Sequence, residues 1–125
     1  MKIEANSPPR RYECGFEIKR TISDCGKVHL EPNEQITFFT PRGAEFDVAR
    51  KDFGFYATPS LNGRLKRFGL RAVLVRNRKA QFYVLLVEKG HEPLFEKYMA
   101  EEKMDVVAWL DDDLSLKRIW ESVKA

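Results

Sequence analysis

The chain has few of the residues that most often carry chemistry. It holds two cysteines, Cys14 and Cys25, and two histidines, His29 and His91. No Cys-x-x-Cys knuckle occurs, so a structural zinc ribbon is not expected, and two thiols do not make a secreted disulfide framework. Cys14, Cys25 and His29 are the only zinc candidates. A hairpin turning near Asp24 would put Cys25 at the turn and Cys14 far along the strand. At ~3.3 Å per residue they would lie tens of ångströms apart, beyond shared-ligand reach. Cys14 then reads as a small core residue.

Neither G-x-G-x-x-G nor G-x-x-x-x-G-K-[ST] is present, which excludes the standard phosphate loops. No serine stands at a strand-to-helix elbow among small residues. The carboxylate pairs Glu92/Glu96 and Glu101/Glu102, and the run 111–113, fall on helix starts or outer helix faces. No enclosed cleft is marked there that would shift a pKa for acid–base work. No catalytic residue, metal or cofactor is therefore expected, and the role expected is non-catalytic. No apolar run approaches the ~20 residues of a membrane helix, so no membrane partner is expected. The opening MKIEANSPPRRYE lacks the apolar centre of a signal peptide, which makes the cytoplasm the expected compartment.

What is present is the composition of a globular protein. Hydrophobic residues make up 43% and charged residues 33% of 125, enough for one domain with a core. Net charge is only +3, but it is unevenly spread. Residues 42–79 carry ten basic side chains against three acidic, a surplus of seven, whereas 80–125 carry six against ten. A basic middle beside an acidic end can steer an anion or pair with a second copy of itself.

Residues 1–10, with Asn6-Ser7-Pro8-Pro9, read as a flexible lead-in, and 11–125 as a single α+β domain. Strict alternation from Tyr12 through Ile18 predicts a half-buried strand, turned by Ser23-Asp24-Cys25-Gly26 into a second at 27–30. Strands follow at 35–39 and 44–48, joined by a turn at 40–43, so the first half reads as an antiparallel meander of about four strands. Residues 70–76 and 81–88 are apolar on both alternating faces, which predicts a central β-hairpin covered on both sides. Gly90-His91-Glu92-Pro93 opens a helix to about 102, and 105–110 is a strand. That order predicts a βαβ-type C-terminal part with parallel strands. A last helix after the three aspartates places Leu116, Ile119, Trp120 and Val123 at helical spacing, with Trp120 in the core. Two helices cover the sheet.

The remaining stretch, 50–64, combines cations, aromatics and hydroxyls: Arg50-Lys51-Asp52-Phe53-Gly54-Phe55-Tyr56-Ala57-Thr58-Pro59-Ser60-Leu61-Asn62-Gly63-Arg64. Either Asn62-Gly63 turns a hairpin or Thr58 caps a helix with Leu61, Leu65 and Phe68 on one face, and the spacing favours the helix. Such a connection can hold a phosphate through Thr58, Ser60, backbone N–H groups and Arg64, with Tyr56 stacking a ring. The expected function is a small accessory domain binding a phosphorylated small molecule (nucleotide, sugar nucleotide or sugar phosphate) at 53–67. The expected ligand residues are Arg50, Tyr56, Thr58, Ser60, Asn62, Arg64 and Arg67. One alternative is RNA or single-strand binding through the basic 64–79 segment. A second is a self-associating interaction module, forming a homodimer through its charge asymmetry or sheet edges.

Overall fold

The computed structural model describes residues 1–124 and is α+β, with eight strands in three antiparallel sheets and three helices among those residues. The chain runs β1 (Lys2–Cys14), β2 (Arg20–His29), β3 (Gln35–Phe39), β4 (Glu45–Lys51), β5 (Gly54–Tyr56), α1 (Arg64–Arg67), β6 (Leu70–Arg76), β7 (Phe82–Glu88), α2 (Glu92–Glu101), β8 (Asp105–Trp109) and α3 (Asp113–Lys124). β1 and β2 form a ribbon, β3-β4-β5 a second sheet, and β7-β6-β8 a third.

The third sheet carries the core, and β6 lies at its centre. Its alternate side chains feed two apolar clusters. Val73 and Val75 meet Val87, Phe95 and Met99 beneath α2. Leu70 and Ala72 meet Ala44 and Leu65 on the opposite face, beneath α1 and the start of β4. The doubly apolar pattern of β6 is thus explained by cover on both sides. β7 has the same pattern but forms an edge, and Phe82, Tyr83 and Val84 are exposed. On the α2 face length exposes Tyr83, since ten helical residues of α2 span about 15 Å whereas seven strand residues of β7 span about 23 Å. Phe82 and Val84 share the opposite face with Leu86, and of these three only Leu86 packs against the cluster around Leu65. β7 and β8 are each antiparallel to β6 and so run the same way, with β6 between them.

The first half is not one meander. Asn33, in the left-handed region at φ 67°, turns the chain away from β2. β3 then pairs with β4 rather than with the ribbon. Residues 1–10 are not a loose lead-in either, since β1 pairs with β2 from Lys2 opposite His29 to Cys14 opposite Arg20. The prolines take a different role. Asn6-Ser7-Pro8-Pro9 lies where the register shifts between Ala5 and Arg10, a bulge that suits two residues with no N–H to give the ladder. The β1–β2 turn falls at 15–19, so Ser23-Asp24-Cys25-Gly26 is strand. Cys14 and Cys25 are both exposed and unpaired, so Cys14 is not a core residue. Five residues separate Cys25 from the partner of Cys14, about 17 Å along the strand.

Helix α1 is only four residues long. Gly63 breaks any longer helix at φ −121°, ψ −101°. Ser60, not Thr58, satisfies the helix start: its hydroxyl accepts from the Arg64 N–H at 2.8 Å and its carbonyl from the Leu65 N–H at 3.1 Å. Leu65 is fully buried, Leu61 half-buried and Phe68 exposed. The predicted docking of α3 is also overturned. Trp120 is 60% exposed and the helix has no buried residue. The clusters on the two faces of the third sheet are built with α2 on one side and α1 with β4 on the other, and α3 contributes a buried residue to neither.

Ion pairs join the pieces. Arg20 reaches from the ribbon to Glu101 and to Glu102 (3.0 Å), with its guanidinium 4.8 Å from the centre of the Tyr98 ring. Arg71 on β6 donates to buried Asp111 through Nε at 2.8 Å and to Glu92 at 3.3 Å. The two carboxylates raise the pKa of Arg71, the Asp111 hydrogen bond most strongly.

Candidate ligand site

The connection from β5 to α1 crosses β3 and β4, and an open pocket of about 270 Å³ lies where they meet. Tyr56 at the end of β5, Ser60 and Arg64 line it, so three of the seven expected ligand residues are gathered. The other four lie outside its lining. Arg50 donates to the Lys51 carbonyl and lies 5.9 Å from the Phe55 ring centre. Thr58 is half-buried. Asn62 donates to Asp113 Oδ1 at 2.9 Å, holding the start of α3. Arg67 lines a different pocket, with Arg42, Gly43 and Lys89.

The remaining polar wall comes from Gln35 and Asp47, neither of which the residue pattern marks as functional. In the alternation of β4, Asp47 falls on the face opposite Phe46 and Val48 and reads as solvated. Only the strand register shows otherwise. Thr37 stands directly across from Asp47, and its hydroxyl donates to Oδ1 at 2.7 Å. Arg64 Nε donates to Oδ2 at 3.2 Å, leaving the Asp47 side chain 15% exposed. The Thr37 bond, helped by Arg64 against the opposing effect of burial, holds the Asp47 carboxyl below its usual value. It is therefore ionised at neutral pH. Asp47 also orients Arg64, whose guanidinium stacks 4.5 Å from the Phe68 ring centre.

The arginine terminal nitrogens have no partner among the described residues, so two N–H-bearing groups remain for an incoming acceptor. The Ser60 hydroxyl, held by the Arg64 backbone N–H, lies close against Gly63. A Cβ on Gly63 would come within 2.5 Å of the Ser60 Oγ, so glycine is needed for this approach. The pocket thus offers one cation, one anion, an amide, a hydroxyl and an aromatic ring. In comparisons with family models, curated proteins and solved structures, nothing matches this chain.

The basic 64–79 segment does not present its cations together. Arg64 is paired with Asp47, and Arg71 with Asp111 and Glu92. Arg78 and Lys79 lie on the β6–β7 turn and line a separate pocket. No helix among the described residues is long and apolar enough to cross a membrane.

Proposed function

We propose that the protein binds a phosphorylated sugar in the pocket between β3, β4 and the β5–α1 connection. The observation that carries this reading is the pairing of Asp47 with Arg64 in one pocket wall. A bare phosphate would meet the Asp47 carboxylate as well as the guanidinium. A sugar phosphate uses both, with its hydroxyls donating to Asp47 and Gln35 and its phosphate accepting from the Arg64 terminal nitrogens and Ser60. Tyr56 offers a ring face to the sugar. At about 270 Å³ the pocket is just below the usual range of small-molecule sites, which favours a sugar phosphate over a nucleotide or sugar nucleotide. Two exposed, unpaired thiols favour a reducing compartment such as the cytoplasm.

Calorimetric titration with glucose 6-phosphate, glucose and inorganic phosphate tests this. The expected result is tighter binding of the sugar phosphate than of either fragment, weakened about ten-fold or more by Arg64→Ala. Inorganic phosphate binding as well as the sugar phosphate, or an Arg64→Ala protein that binds as the parent does, overturns the reading.

A second reading, self-association, rests on α3. Leu114, Ile119, Trp120 and Val123 are all exposed on a helix tied to the rest by Asn62 at its first turn. An antiparallel pair of such helices from two copies would bury the stripe and set Asp112 and Asp113 of one against Lys124 of the other. Sedimentation should show a concentration-dependent dimer that Trp120→Glu abolishes. A parent protein monomeric at all accessible concentrations excludes it.

A further inference from the structure

A larger and more enclosed pocket, about 350 Å³, lies between the β1–β2 turn, the β6–β7 turn and α2. Its floor is apolar, from Leu85 and Met104, which pack against the core cluster beneath α2. Its walls are the rings of Phe16, Tyr83 and Tyr98. Burial and the nearby Glu102 raise the Tyr98 pKa, so the phenol stays neutral and can donate.

The lip is cationic. Arg78 and Lys79 line it from the β6–β7 turn, and neither forms an ion pair among the described residues. The turn is held in one shape by Asn77, whose Oδ1 accepts from the N–H groups of Lys79 (3.0 Å) and Gln81 (2.9 Å). Gln81 in turn accepts from the Tyr83 hydroxyl at 3.2 Å, which fixes that ring. The acid in the wall, Glu102, is already engaged by the Phe16 N–H at 3.2 Å and by Arg20 at 3.0 Å. Arg20, shared with Glu101, offsets part of its charge, and the cations that line the pocket are Arg78 and Lys79.

We propose that this pocket is a second binding site, for a flat aromatic ring that carries one anionic group. The ring lies against Tyr83 and Tyr98 over the Leu85–Met104 floor, and the anion meets Arg78 and Lys79. An aliphatic anion leaves the aromatic walls unused. A cationic ligand is repelled by the lip, and a neutral ring leaves both cations without an acceptor. The volume admits one or two fused rings with a short anionic arm, near the lower end of small-molecule sites at about 300 Å³.

The test is calorimetric titration of the full chain with adenosine 5′-monophosphate and indole-3-acetate, and with adenosine and indole-3-ethanol as uncharged counterparts. At least one charged probe should saturate a single site and its uncharged counterpart bind roughly ten-fold more weakly. Whichever binds tighter tells whether phosphate or carboxylate is the preferred anion. Arg78→Gln with Lys79→Gln, on an exposed turn, should weaken that probe about ten-fold or more, whereas Arg64→Ala leaves it unchanged. No saturable binding of either charged probe up to about 1 mM, full affinity in the double variant, or loss of binding in Arg64→Ala each overturns the proposal. The last outcome assigns the probe to the β3–β4 pocket instead.

Discussion

Removing the charge of Asp111 should cost this fold more stability than any surface ion pair could. Asp111 is 2% exposed at the end of β8, and it accepts from Arg71 at 2.8 Å and, less directly, at 3.4 Å. The guanidinium also stacks 4.0 Å from the centre of the Trp109 ring and touches Glu92 at the start of α2. Three elements therefore meet at one cation. Breaking a buried pair by removing one partner costs about 3–5 kcal/mol. Here Arg71 keeps Glu92 and is 28% exposed, so part of its charge stays solvated or paired. Asp111→Asn should then cost about 2 kcal/mol, since the amide oxygen keeps one hydrogen bond but not the charge. Urea denaturation followed by circular dichroism measures it. The double change Arg71→Met with Asp111→Leu should cost less than the two single changes added together, because neither member of the buried pair is left behind and half-exposed Glu92 keeps solvent and the Gly90 N–H. If Asp111→Asn shifts stability by less than about 0.5 kcal/mol, the pair is a surface contact energetically and the reasoning fails.

Leu65→Ala should destabilise the protein by about 2–4 kcal/mol, seen as a lower urea midpoint, because a fully buried side chain leaves a cavity against Ala44, Leu70 and Ala72. Asp47→Asn should cost about 1 kcal/mol at pH 7 through its bonds from Thr37 and Arg64. Its carboxyl pKa is depressed in the folded state, so that contribution is present above the unfolded value. It is lost as pH falls through the folded one. The gap between parent and variant should therefore narrow below about pH 4, and a gap that widens in acid contradicts the assignment. Cys14 and Cys25 are both exposed, so a thiol reagent should titrate two equivalents in the folded protein without denaturant. A single equivalent would mean that one thiol is covered.

Periodicity alone determined most of the elements. The alternation in 70–76 located the central strand, and the apolar spacing after Pro93 located α2, although of its expected buried stripe, Leu94, Phe95, Tyr98 and Met99, only Phe95 and Met99 are buried and Leu94 is exposed. Of the seven residues marked in and beside the run 50–64, Tyr56, Ser60 and Arg64 share a pocket. These are local properties of the chain, set by backbone preferences and by side-chain period. Which faces found cover was decided only in three dimensions. The stripes of α2 and α3 look alike in sequence, yet α2 helps build a cluster on one sheet face and α3 contributes a buried residue to neither face. The same holds for the sites. Asp47 and Gln35 join Arg64 only because β3 pairs with β4 and the β5–α1 connection folds across them. Phe16 lines one pocket with Tyr98, more than eighty residues away, only because Arg20 anchors the ribbon to α2. Contacts so distant along the chain leave no period to read, since their energy depends on packing and strand register rather than on any local sequence preference.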